Sequence, residues 1–148
     1  MGKVVVGVDG STSSQAALHW ARDEAALRGD DLEAVVAWRE TYFGGSGFNV
    51  DMPDPGIIQD AAKTMIEAAM DSASTGEGDP PMRGVVVEGH PGRALLEHAR
   101  GADLLVVGAR GHGGFSGLRL GSVSTYCVHH APCPVVVVPA EGNEGQDD

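Results

Sequence analysis

A chain of 148 residues with 42% hydrophobic residues is long enough to bury a core and suits a single domain. Its net charge of −11 argues against nucleic acid and anionic membranes as partners, because both would repel it. With no signal-like leader, no long apolar run and two cysteines, the composition predicts a reducing, cytoplasmic compartment and no disulfide scaffold.

Residues 3–9, KVVVGVD, form a β-branched run that suits a buried strand, and Asp9-Gly10-Ser11 then makes a turn. Ser11, Thr12 or Ser13 can cap a helix over residues 13–28, with Ala17, Trp20, Ala21 and Ala25 on its inner face and Gly29 as its stop. Residues 31–38, DLEAVVAW, are the second strand, and both Trp20 and Trp38 are expected in the core. Strand–helix alternation of this kind predicts a parallel sheet with right-handed crossovers. The rhythm breaks over residues 39–56, which mix glycine, proline and aromatics and are long for a connection; a lid and a mobile loop both fit.

Helical spacing returns over residues 57–74, with Ile58, Ala62, Met65, Ala69 and Ala73 facing inward. After a breaker run come a strand over 82–88 and a helix over 91–100, with Pro91 in its first turn, where the missing N–H costs nothing. A strand over 103–108, a helix over 121–130 and a strand over 134–138 complete five strands and four helices. Residues 1–140 are expected to form one domain, and residues 141–148, EGNEGQDD, an acidic disordered tail.

The most informative stretch is residues 108–122, GARGHGGFSGLRLGS. A strand that feeds a glycine loop opening a helix can build a phosphate cradle, since backbone N–H groups point inward and the helix start is electropositive. Arg110 and Arg119 place two of the ten basic residues of an acidic protein here, which points to an anionic ligand. The Gly-Lys-Ser/Thr of a P-loop is absent, as is G-x-G-x-x-G. A surface loop rich in glycine for entropic reasons alone is the competing explanation.

In open α/β sheets a ligand sits beyond the carboxyl ends of the strands where strand order reverses. If the first and fourth strands are neighbours, Asp9-Gly10-Ser11 and the glycine loop face one crevice. Asp9 then either accepts from a ribose hydroxyl or adenine amine, or serves as a turn aspartate bonded to its own backbone.

These residues carry a family likeness: the chain resembles the single-domain universal stress proteins, in particular their ATP-binding branch. The signature of that branch is Gly, two residues, Gly, nine residues, Gly, then Ser or Thr, and Gly108, Gly111, Gly121 and Ser122 satisfy it. VGVDGS near the start, ADLLVVGARG before the loop and HHAPCPVVVVP at the end extend the likeness. The resemblance implies an open five-stranded parallel α/β sheet, Rossmann-like, of order 3-2-1-4-5 with helices on both faces. It implies adenosine contacts at Gly7, Val8 and Asp9, with Ala37 near the adenine. The triphosphate would be held by Gly108, Ala109, Arg110, Gly111, His112, Gly113 and Gly114 together with Gly121 and Ser122, with Ser124 in reach. The implied ligand is ATP, with magnesium or manganese carried by the nucleotide. The last strand, Val135–Val138, is expected to pair with its twin in a homodimer, since an uncovered apolar edge would pair indiscriminately.

Cys127, His129, His130 and Cys133 lie close in sequence, yet their spacing fits no standard zinc pattern. His19, His90 and His98 are expected on solvated faces. A hydrolase elbow of the G-x-S-x-G type is missing. Beyond Asp9 the cradle offers no obvious carboxylate to organise phosphoryl transfer. The expected role is therefore an ATP-binding stress-response module with an unknown protein partner. The alternatives are a slow ATPase, self-phosphorylation at Ser122 or Ser124, and an interaction protein that works without nucleotide.

Overall fold

The computed structural model describes residues 2–38, 54–110 and 120–139. The expectations for Gly111, His112, Gly113, Gly114, the acidic tail and most of the 39–56 connection lie outside these residues. Nine elements follow in strict alternation: β1 (Lys3–Gly7), α1 (Thr12–Arg28), β2 (Asp31–Trp38), α2 (Pro55–Ala73), β3 (Met82–Glu88), α3 (Pro91–His98), β4 (Leu104–Gly108), α4 (Ser122–His130) and β5 (Val135–Val138). All strand pairs are parallel, in the order β3-β2-β1-β4-β5. The expected open, Rossmann-like sheet is thus the observed one.

Strand alternation assigns the two faces. Val4, Val6, Leu32, Ala34, Val36, Leu104 and Val106 point to the layer of α1 and α2, where Leu18, Ala21, Ile66 and Ala73 meet them. Val5, Val35, Leu105 and Val107 point to the other layer, against Leu95 and Ala99 at α3 and Cys127 of α4. Val4, Val5 and Val6 are fully buried, as the central strand of a sheet covered on both sides requires.

The helix ends follow local chemistry. Ser11 caps α1 by accepting from the Ser14 N–H at 3.1 Å. Gly29 closes α1 in the left-handed region at φ 72°, where its N–H donates to Ala26 and that of Asp30 to Ala25. Helix α2 begins at Pro55, two residues before the expected start, because Asp54 caps it and proline is tolerated at the first helical position.

Two core assignments are corrected. Trp20 is 36% exposed and Leu18 takes the inward position, because the apolar stripe of α1 runs through Ala17, Leu18, Ala21 and Ala25. Trp38 is half-buried at the end of β2. His98 also departs from expectation. Its Nδ1 lies 3.1 Å from Glu33 Oε1, a buried carboxylate on β2 that Lys3 and Arg83 also approach, at 3.8 and 4.0 Å.

Candidate functional site

The connections leave β1 and β4 toward opposite sides of the sheet, so no crossover covers the gap between their carboxyl ends. A cleft of about 570 Å³, open solvent at its mouth included, lies there. Its β1 side is Gly7, Val8 and Asp9, with Ser14 behind them. Val35 and Ala37 of β2 and Pro91 and Leu95 of α3 form an apolar end. Val107, Gly108 and Arg110 follow from β4, and Val123 and Ser124 from the first turn of α4.

The turn after β1 is held by its own side chains. Val8 donates its N–H to the Val35 carbonyl at 2.9 Å, and Asp9 donates its N–H to Ser14 Oγ at 3.2 Å. Asp9 Oδ1 accepts from the Ser11 N–H at 2.9 Å across Gly10, whose φ of 85° only glycine adopts without cost. The turn role of Asp9 is therefore real, and the same exposed residue also lines the cleft.

Contacts distant in sequence build the opposite end. Gly108 stands against the first turn of α1 so closely that a Cβ there would lie 2.6–2.7 Å from Ser13 atoms. Ser13 Oγ accepts from the Arg110 N–H at 3.2 Å and donates to the Val138 carbonyl at 3.4 Å. Ala109 donates to that same carbonyl at 2.8 Å, and its own carbonyl accepts from the Gly121 N–H at 2.7 Å. Ser124, 2% exposed, turns its hydroxyl to the carbonyls of Ala109 and Gly121, at 2.9 and 3.1 Å. Gly121 is the N-cap of α4 and has no side chain to satisfy the first N–H groups; Ser122 follows as an exposed first helical residue.

The fold thus gathers Gly7, Val8, Asp9, Ala37, Gly108, Arg110 and Ser124 around one cleft, while Ala109 and Gly121 are stitched together beside it. Ser14, Val35, Pro91, Leu95, Val107 and Val123 were not foreseen as lining residues. The rule that ligands meet strand carboxyl ends could have nominated the turn after β3, which leads into Pro91. Near the base of α4, burial pushes the Cys127 thiol up to about 11, and Cys133 is raised as well, also by burial. Both thiols are free. Among the described residues no group of three or more His, Cys, Asp or Glu is arranged to hold a metal, and no helix is long and apolar enough to cross a membrane.

The sequence pattern of the universal stress protein family matches residues 1–139. Universal stress protein Rv2005c of Mycobacterium tuberculosis is 38% identical over 136 residues, which cover 90% of this chain and 44% of that protein. The chain therefore spans less than half the length of such relatives. Among solved structures, universal stress protein UspA from Lactobacillus plantarum is 25% identical with a TM-score of 0.74, covering 93% of this chain and 97% of that one. A universal stress protein in complex with cAMP is 31% identical with a TM-score of 0.67, covering 93% and 95%.

Proposed function

Because this chain belongs to the universal stress protein family, we propose that it binds an adenine nucleotide in the β1/β4 cleft and acts as a nucleotide-dependent regulatory module in a stress response. The nucleotide is ATP, with magnesium or manganese carried on its phosphates. The observation that carries the proposal is the two-ended cleft. Val35, Ala37 and Leu95 offer a flat base an apolar slot, while the uncapped start of α4 offers an anion backbone N–H groups and Arg110 a positive charge. The relative solved with cAMP supports an adenine nucleotide as the class of ligand. Support for a triphosphate comes from the spacing of Gly108, Gly111, Gly121 and Ser122.

Binding fits the cleft better than turnover. Asp9 is the sole carboxylate among the described lining residues, so the cation rests with the phosphates. Ser124 spends its proton on backbone carbonyls, which leaves Ser122 as the hydroxyl of the pair open to phosphate. Assembly is proposed through β5, which is an edge strand among the described residues: Val135–Val138 of two copies pair about a two-fold axis.

Mass analysis of nucleotide released from freshly purified protein tests the ligand directly, and ATP is the expected species. Preferential binding to the native state should also raise the melting temperature with ATP more than with AMP. No released nucleotide, together with no shift by ATP, would overturn the proposal.

A further inference from the structure

His90 stands outside the cleft, yet it holds the wall that closes the apolar end. It precedes α3 in extended conformation, φ −67° and ψ 128°, and its Nδ1 accepts from the Gly92 N–H at 3.1 Å and the Arg93 N–H at 3.4 Å. An imidazole here does what serine or aspartate does at other helix starts, with the proton of the neutral ring on Nε2. Tyr126 of α4 packs against the same turn. A Cβ on Gly92 would meet the Tyr126 ring at 2.5 Å, and the His90 and Tyr126 rings are 5.8 Å apart between centroids. The His130 ring backs Tyr126 at 4.7 Å. The first turn of α3 is therefore capped by an imidazole and packed against a phenol, and that turn presents Pro91, with Leu95 one turn on, to the cleft. Tyr126 rides on the helix that supplies Val123 and Ser124 to the same cleft, so the His90–Gly92–Tyr126 contact sets the separation of two walls.

We propose that His90 is a positioning residue for the ligand: by capping α3 against Tyr126 it fixes the width of the apolar slot, and so the affinity for the base end of a nucleotide. This rests on nucleotide occupying the cleft. Removing the acceptor frees two N–H groups and lets the Pro91–Leu95 wall drift, whereas an asparagine at the same place restores a capping oxygen.

The test compares the full chain with His90→Ala and His90→Asn by calorimetric titration of ATP and AMP well below the melting transition. His90→Ala should weaken both nucleotides by the same factor, roughly fivefold for a loss of typical cap size, because the defect lies at the base end. His90→Asn should bind within about twofold of the parent, as expected for exchange between good caps. Amide exchange in the ligand-free chain should accelerate at Gly92 and Arg93 in the alanine variant and return to parental rates in the asparagine variant. If the parent binds ATP and His90→Ala binds it equally tightly, the positioning role is wrong while the nucleotide site stands. Loss of affinity in His90→Ala that His90→Asn does not recover also overturns it. If the parent binds neither nucleotide, both the site and the role assigned to His90 fall.

Discussion

Replacing Gly108 by alanine tests the contact on which the anion end of the cleft is built. Gly108 does not occupy the left-handed region, so conformational freedom is not what requires glycine. Space is. An added Cβ would stand 2.6 Å from Ser13 Oγ and 2.7 Å from the carbonyl carbon and oxygen of Ser13. These separations are far inside the roughly 3.5–4 Å of an unstrained carbon contact. Two of the three atoms are backbone in the first turn of α1, so no rotamer change relieves the clash. Either α1 or the end of β4 must move, which pulls apart the Arg110 N–H and Ser13 Oγ, paired at 3.2 Å. Overpacking costs about 1–3 kcal/mol and the lost hydrogen bond about 1 kcal/mol. The expected loss of about 2–4 kcal/mol corresponds to roughly 6–12 °C in melting temperature for a domain of this size. Urea unfolding and thermal melts followed by circular dichroism would measure it. The double variant Ser13→Ala/Gly108→Ala should stay destabilised, since the alanine keeps the backbone atoms at fault. A Gly108→Ala protein that melts within about 2 °C of the parent would refute the close approach, and with it the account of how the loop's base is anchored.

Gly121→Val should weaken ATP at least about tenfold, the cost of one lost charge-assisted contact, and AMP less; equal losses in calorimetric titration would contradict a phosphate role. Asp9→Ala removes both a cleft acceptor and the partner of the Ser11 N–H, so it should lower ATP affinity roughly ten- to a hundredfold, while Asp9→Asn keeps the turn and the parental melting temperature. Sedimentation should show a dimer at tens of micromolar, roughly where weak dimers persist, and a monomer there would dismiss β5 pairing. Burial raises the Cys127 thiol from its ordinary value of 9.0 to about 11. The folded chain therefore resists ionisation more than the unfolded one, and its contribution to stability, intact below pH 9, is lost as pH rises toward 11. Melts across that window should show the decline, and Cys127→Ala should reduce the slope.

Much of the scaffold was legible before any coordinates. The β-branched runs at the first, second, fourth and fifth strands and the apolar spacing of α2 are local signals, and each of these elements formed at or close to its expected span. Alternation of strand and helix implied a parallel sheet, and the family likeness supplied its order. Seven of the expected site residues line the cleft because strand ends, which a sequence displays, are where such sheets open. The family likeness read from these motifs is matched by the family's sequence pattern across residues 1–139.

Tertiary structure decided the rest. Periodicity says which residues share a face, not which face is covered; Trp20 fits the apolar stripe of α1 by spacing, yet the sheet lies under Leu18. Gly108 looked like loop glycine, but its need arises from Ser13, ninety-odd positions earlier, where β4 runs against α1. His98 looked solvated until β2 brought Glu33 beneath it, while His90, exposed as expected, also turns its ring back onto the start of α3. Pro91 and Leu95 became cleft walls only once α3 packed beside α4. Local propensities act over a few residues and leave their mark in the sequence. Contacts between elements depend on how whole layers stack, and they arise only when the chain has closed on itself.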